Sequence, residues 1–324
     1  MAKKYNICLD IGGTKVLGCV FDNKDKMVCK IKKRSTEKGN SSENIEEVII
    51  AVTKELLVKA NIKKSEVNAI SAGVPGVINT ETGVVLFTPN LPWRDYDLKS
   101  VIEKKFGTKF YLGNDVNVGV LGKYRYGAAK GYKNVVGFFI GTGVGGGLIL
   151  NKKLFTGHDF KAGEYGHMVL DENGPECGCG NHGCLEVYSS KKGMAKYIKG
   201  ELAKGRKSCM EESIDENGIF KSKYLKAAVD AGDEVALEAI DRACHYLAIG
   251  TANMINALSP DCVVYGGGVI ATLGDVFIEK INKELDKYIM PALKGSAEIK
   301  KAALGDFSNL YGSLAMIKDA EKKK

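Results

Sequence analysis

The fold this sequence predicts is a duplicated α/β domain with a cleft between the halves. Two observations carry that prediction. An apolar run, a Gly-Thr turn and a second apolar run occur twice, around DIGGTK (Asp10–Lys15) and GTGVGGG (Gly141–Gly147), and alternating helical and strand patterns follow each. Each of these Gly-rich turns joins two strands, whereas an ordinary dinucleotide-binding domain places its Gly-rich turn between a strand and a helix. A chain of 324 residues is also long for one core, so two domains are expected, at 1–114 and 115–304.

The elements read in order as follows. Tyr5–Ile11 and Val16–Phe21 are apolar strands, and Lys26–Arg34 alternates apolar and charged residues. Asn40 is placed to cap a helix, with Glu43 at the reciprocal capping position, and Ile45, Val48, Ile49, Val52 and Leu56 recur at helical spacing. Asn68–Val74 is a strand ended by Pro75–Gly76, and a hairpin around ETG leads to Phe87. Asp97 caps a helix to Phe106, and Lys109–Leu112 is the next strand. In the second round, Val135–Ile140 and Gly147–Leu150 are strands, with a hairpin at Asn151–Lys152. Val235–Leu258 is a long helix, Cys262–Tyr265 a strand, and a helix is expected from about Asp275 to Tyr288. Ile299–Leu304 is a last strand and Leu310–Ala320 a last helix. Residues 200–222 are polar and weakly periodic, a surface loop or irregular helix pair.

Composition excludes several classes. Hydrophobic residues make 44% and charged residues 27%, as in an ordinary soluble globular protein. No run approaches the roughly 18 apolar residues of a membrane span, and the N-terminus lacks the apolar centre of a signal peptide, so a cytoplasmic location without a membrane partner is expected. The net charge of +8 is spread as Lys over the chain and tail, not gathered with Arg and aromatics into a stripe. That pattern argues against a nucleic-acid partner and permits modest attraction for anionic nucleotides.

DIGGTK and GTGVGGG are phosphate-binding candidates. Glycines let backbone N–H groups approach an anion, and Gly12, Gly13, Gly141 and Gly143 have this role, with hydroxyls from Thr14 and Thr142. Asp10 ends the first strand, placed to hold Mg²⁺ directly or through water, and Lys15 offers a positive charge to phosphate. The competing reading is two hairpin turns that serve only the backbone. Gly266, Gly267 and Gly268 form a third, weaker candidate between a strand and a helix.

GNDVNVG (Gly113–Gly119) opens a helix after a strand. Asp115 would then sit near a helix N-terminus, where the macrodipole favours a carboxylate ready to accept a proton. The alternative is that Asn114 or Asp115 is simply the helix cap. Farther on, Cys177, Cys179 and Cys184 share one loop, and thiolates with an imidazole are a structural zinc set. His167, ten residues before Cys177, is the preferred fourth ligand and His182 the competitor. His167 is preferred because Glu164-x-x-His167 brings a carboxylate and an imidazole into one turn. Such a site, closed by four protein ligands, would brace the loop carrying Glu164 and Glu186. Among the other cysteines, Cys8, Cys19, Cys29, Cys244 and Cys262 lie in apolar patterns and read as buried hydrophobes, while Cys209 lies in a charged segment.

Taken together, these residues resemble the ROK family of sugar kinases and sugar-responsive repressors, within the actin-like (ribonuclease H-like) ATPase superfamily. The resemblance spans essentially the whole chain, through DIGGTK, GVPG, TPNLPW, GNDVN, GTGVGGG, E-x-x-H and, most specifically, CGCGNHGCLE, which fits C-x-C-G-x-x-G-C-x-E without gaps. It implies transfer of a phosphoryl group from Mg²⁺-bound ATP to the 6-hydroxyl of a hexose, with glucose first and N-acetylmannosamine, N-acetylglucosamine, fructose or mannose as alternatives. It implies Asp115 as catalytic base. Asn90, Asn114, Glu164, His167 and Glu186 would hold the sugar, His167 also being a zinc ligand. Gly266 and Gly267 would lie on the nucleotide side. It further implies that a helix within about 305–324 returns to complete the first domain, and that the protein is a homodimer or homotetramer. Polyphosphate is an alternative donor. The reading of a different class, a sugar-sensing repressor, is disfavoured because such relatives carry a helix-turn-helix ahead of the first Gly-Thr turn, and only nine residues precede Asp10 here.

Overall fold

The computed structural model describes residues 4–13, 15–35, 42–302 and 304–322; Thr14 and Asn40 lie outside the described residues. The chain divides into two compact units, one comprising 1–130, 156–162 and 306–324, the other 131–155 and 163–305.

In the first unit, β1 (Tyr5–Ile11), β2 (Lys15–Phe21) and β3 (Met27–Ser35) form an antiparallel meander. Helix α1 (Ser42–Lys59) buries Ile45, Ile49, Val52 and Leu56 in the same core as Ile7, Leu9 and Ile11 of β1. The chain then enters β4 (Val67–Val74), parallel to β1. A small sheet follows, made of β5 (Val77–Asn79), β6 (Val84–Phe87) and β7 (Arg94–Tyr96). Strand β7 is not legible in the sequence. Its Arg-Asp-Tyr segment has no apolar alternation, and it exists because Val85 and Phe87 pair with Tyr96 and Arg94. Helix α2 (Leu98–Phe106) starts as expected, with the Asp97 carboxylate accepting the Ser100 N–H. Then β8 (Lys109–Asn114) completes the sheet order β3-β2-β1-β4-β8, and α3 (Asp115–Tyr126) follows directly.

The second unit repeats this plan. Strands β9 (Val135–Ile140), β10 (Val144–Leu150) and β11 (Lys153–Phe155) are antiparallel. Helices α4 (Leu185–Ser189), α5 (Lys191–Ala203), α6 (Ser222–Asp230) and α7 (Glu234–Leu258) follow. Strand β12 (Cys262–Gly266), helix α8 (Gly268–Leu285) and strand β13 (Glu298–Lys301) give the order β11-β10-β9-β12-β13. Counted within each unit the two orders are identical, three antiparallel strands and then two parallel ones, so the duplication expected from sequence is present in the topology.

Three expectations shift. Helix α8 begins at Gly268, not near Asp275, because Val269, Ile270 and Leu273 continue the buried face of Phe277 and Ile281 back to the glycines. Strand β10 begins at Val144 because Gly145–Gly147 pair with Phe139–Gly137 of β9 despite lacking side chains. The stretch 200–222 holds the end of α5, a short 3₁₀ turn at Glu211–Ser213 and the start of α6. Met210, Ile214 and Phe220 anchor it in the core.

The last helix, α9 (Ser308–Glu321), packs within the first unit. Its Leu310, Leu314 and Ile317 join Cys8, Cys19 and Phe21 in a cluster. It crosses α3 at backbone distance: a β-carbon on Gly312 would lie 1.8 Å from the Val118 carbonyl oxygen, and one on Gly122 would lie 2.1 Å from that of Ser308. This crossing groups α3 with the first unit, which runs to 130, whereas the sequence reading placed a boundary after 114. Among the described residues no helix is long and apolar enough to cross a membrane.

Since no side chain fits at the crossing, Gly312→Val should destabilise the protein by at least about 1–3 kcal/mol. Denaturant unfolding is the check, and a wild-type midpoint would show that the helices separate freely.

Candidate active site and metal centre

The first unit gathers its predicted residues at the carboxyl ends of its parallel strands, where open α/β sheets place ligands. Asp10 of β1 pairs with Gly73 of β4, which pairs with Gly113 of β8. Asp115 lies two residues beyond, so both aspartates emerge at one end of the sheet. The Asp10 carboxylate accepts a 2.8 Å hydrogen bond from the Asn309 amide. Asn309, the second residue of α9, carried no motif signal in the sequence.

The Gly12 N–H donates to the Lys15 carbonyl at 2.8 Å, closing the first tight turn. Asn90 flanks it, since a β-carbon on Gly13 would stand 3.2 Å from the Asn90 β-carbon. The sequence separates these two residues by 77 positions; the small sheet between β4 and α2 brings them together.

At the start of α3, Asn114 is the cap. Its Oδ1 accepts the Asn117 N–H at 3.0 Å, and its amide donates to the Gly76 carbonyl at 2.9 Å. An amide has a second N–H, so this bonding leaves donor capacity for a ligand. Asp115, the first helical residue, accepts its neighbour Val116's N–H at 2.9 Å and is half-buried. The cap and the candidate base are therefore adjacent residues, which the sequence alone left open.

The second unit holds the other Gly-Thr turn. The Gly141 N–H donates to the Gly143 carbonyl at 2.9 Å, and Thr142 is exposed. The Glu186 carboxylate accepts the Val144 N–H at 2.8 Å, and a β-carbon on Gly143 would fall 2.3 Å from the same carboxylate oxygen. Glycine is thus required there by the approach of Glu186. The Gly141 carbonyl accepts the Lys191 N–H at 2.9 Å, seating the turn on the start of α5, which Ser190 caps through the Gly193 N–H. Gly266 ends β12, and Gly267, with φ of 92°, turns the chain into α8.

The cysteine loop closes on itself. One ligand atom from each of His167, Cys177, Cys179 and Cys184 lies within 4.8 Å of the others. Cys179 and Cys184 sulfurs stand 3.7 Å apart, and Cys177 Sγ is 3.7 Å from His167 Nδ1. Sulfurs bound at about 2.3 Å around a tetrahedral ion stand about 3.7 Å apart, so the group has the dimensions of a closed four-ligand metal site. His182 is outside it; its Nδ1 faces the Gly174 carbonyl at 3.2 Å. The thiols differ in acidity. The Asn181 N–H is the main cause holding Cys179 down to about 7, while burial pushes Cys184 up to about 12.

Glu164 is exposed at the head of the 3₁₀ turn Tyr165–His167, and its carbonyl accepts the His167 N–H at 3.0 Å. Cys184 caps α4 and Glu186 sits in its first turn, two residues on. Tyr188 fastens α4 to α7 by stacking on Tyr246 at 3.5 Å between centroids, with the Arg242 guanidinium 4.9 Å from the Tyr188 ring.

Comparison with known proteins follows this geometry. The ROK family model matches residues 6–320. A glucokinase of Halalkalibacterium halodurans is 32% identical over 322 residues, covering 99% of this chain and 97% of its own. A glucokinase of Thermotoga maritima is 32% identical over 321 residues, covering 98% of this chain and 99% of its own. The crystal structure of a ROK family glucokinase from Streptomyces griseus, in complex with glucose and AMPPNP, superposes with a TM-score of 0.80 at 28% identity, covering 96% of this chain and 98% of that one.

If the cluster holds a metal, elemental analysis should find about one ion per chain. Cys179→Ser should lower both metal content and melting temperature. A metal-free protein of unchanged melting temperature would reduce the four residues to a thiol cluster.

Proposed function

The chain belongs to the ROK family, and on that premise we propose that it is an ATP-dependent hexose kinase that converts glucose to glucose 6-phosphate. Near-full-length similarity to glucokinases supports the sugar and the donor. The observation that carries the chemistry is Asp115 at the first position of α3, beside its capping Asn114 and at the same sheet end as Asp10.

In this reading Asp115 accepts the proton of the sugar's 6-hydroxyl. That oxygen forms its bond to the γ-phosphorus as the bond from phosphorus to the ADP oxygen breaks. Asn90, Asn114, Glu164, His167 and Glu186 position the hydroxyls. The turns at Gly12–Lys15 and Gly141–Gly143 receive phosphate oxygens on backbone N–H groups, with charge from Lys15. Asp10, oriented by Asn309, would hold Mg²⁺ directly or through water, and the charge neutralisation of the transferred group would come from that ion. His167, Cys177, Cys179 and Cys184 would hold a zinc ion in a structural role, since four protein ligands would leave no position for water, and that closure would fix the loop that ends at Glu186.

Asp115→Asn should lower turnover about 10²–10⁴-fold while glucose still binds, as read by coupled ADP release and by calorimetry. Near-normal turnover would remove Asp115 from the role. A panel of glucose, N-acetylmannosamine, N-acetylglucosamine, fructose and mannose, each with ATP or polyphosphate under matched Mg²⁺, tests substrate and donor. The highest kcat/KM is expected for glucose with ATP, and a clear preference for another pair replaces that assignment.

A further inference from the structure

Within the second unit, two side chains that no motif singles out, Lys191 and Ser222, converge at the start of α8, the helix that the Gly266–Gly268 triplet opens. This helix is 18 residues long, and its N-cap, Gly267, supplies no side chain. Its leading N–H groups therefore have no intrahelical acceptor and present the positive end of the helix dipole. A β-carbon built on Gly268 would lie 3.6 Å from the Lys191 ammonium nitrogen and 3.9 Å from the Ser222 hydroxyl oxygen. Side chains from the first positions of α5 and α6 thus point at the same uncapped helix end.

Ser222 is only 8% exposed, and its hydroxyl is buried without a hydrogen-bond partner. Buried hydroxyls are ordinarily paired, so one aimed at a helix end indicates a missing acceptor. Lys191 is half-buried, and burial lowers its ammonium pKa. The place therefore offers a cation, a hydroxyl and backbone N–H groups, a donor set suited to a tetrahedral oxyanion. Its position narrows the anion further. The Lys191 backbone N–H holds the Gly141 carbonyl, so one residue seats the second Gly-Thr turn and reaches the α8 terminus with its side chain.

We propose that Lys191, Ser222 and the N-terminus of α8 form one subsite that takes a phosphate of the bound nucleotide. The inference rests on the kinase reading and deepens it, by naming side chains that would make nucleotide affinity depend on phosphate and not on adenosine alone.

The test is titration calorimetry of the full chain with ADP, AMP, adenosine and inorganic phosphate, for wild type, Lys191→Met, Lys191→Arg and Ser222→Ala, with melting curves to verify folding. Lys191→Met should weaken ADP and AMP by about tenfold or more and leave adenosine unchanged, since a charge-assisted bond is lost. Lys191→Arg should retain most of the affinity, and Ser222→Ala should show a smaller loss of the same selectivity. Equal ADP and AMP affinities in wild type and folded Lys191→Met overturn the subsite, as does a loss that extends equally to adenosine. Lys191-dependent binding of inorganic phosphate with unchanged nucleotide affinity would overturn the nucleotide assignment. A parallel assay of sugar phosphorylation keeps the two readings apart: active wild type with unchanged nucleotide affinity in the variant sinks the subsite alone, whereas wild type that phosphorylates no sugar sinks the kinase reading.

Discussion

The hydrogen bond from the Val144 amide to the Glu186 carboxylate is the constraint on which the second unit's candidate site depends. It couples a loop shaped by cysteines to a turn shaped by glycines. On one side, Cys184 belongs to the four-residue ligand group and caps α4, so Glu186 follows it within a single helical turn. On the other side, Gly143 leaves the space that the carboxylate occupies. A half-buried acid tied to a backbone N–H is held in position, which is what a ligand-orienting group requires. The tyrosine pair of α4 and α7 keeps the helix from rotating away.

The first unit positions its acids differently. Its two aspartates are carried by adjoining elements whose register is set by strand pairing: Asp10 with Gly73, and Gly73 with Gly113. Helix α3 continues from β8 with no intervening loop, so Asp115 inherits the precision of the sheet. The α3–α9 crossing presses glycines against backbone carbonyls, which leaves those helices little freedom to slide. Asn309, on that last helix, is thereby placed to hold Asp10.

Much of this was legible because periodicity and turn chemistry are local. The apolar runs of β1 and β2, the helical spacing from Ile45 to Leu56 and the Asp97 cap need only neighbours along the chain. The errors share one cause. Strand β7, the early start of α8 and the glycine-rich beginning of β10 are decided by partners far away in sequence, and none has a local signal strong enough to reveal them. The same holds for Lys191 and Ser222, which look like surface helix residues until the fold brings them to the end of α8.

By itself, the sequence determined the duplicated strand–turn–strand plan, the family and the identities of the residues able to do chemistry, because those are written as residue types at short spacing. Only the tertiary structure decided which of them meet. It chose His167 over His182 for the cysteine group, gave the α3 cap to Asn114 and left the next position to Asp115, and set Asn90 against the first glycine turn. Those outcomes depend on distances across the fold, and a distance between residues remote in sequence exists only once strand pairing and helix packing have closed the chain on itself.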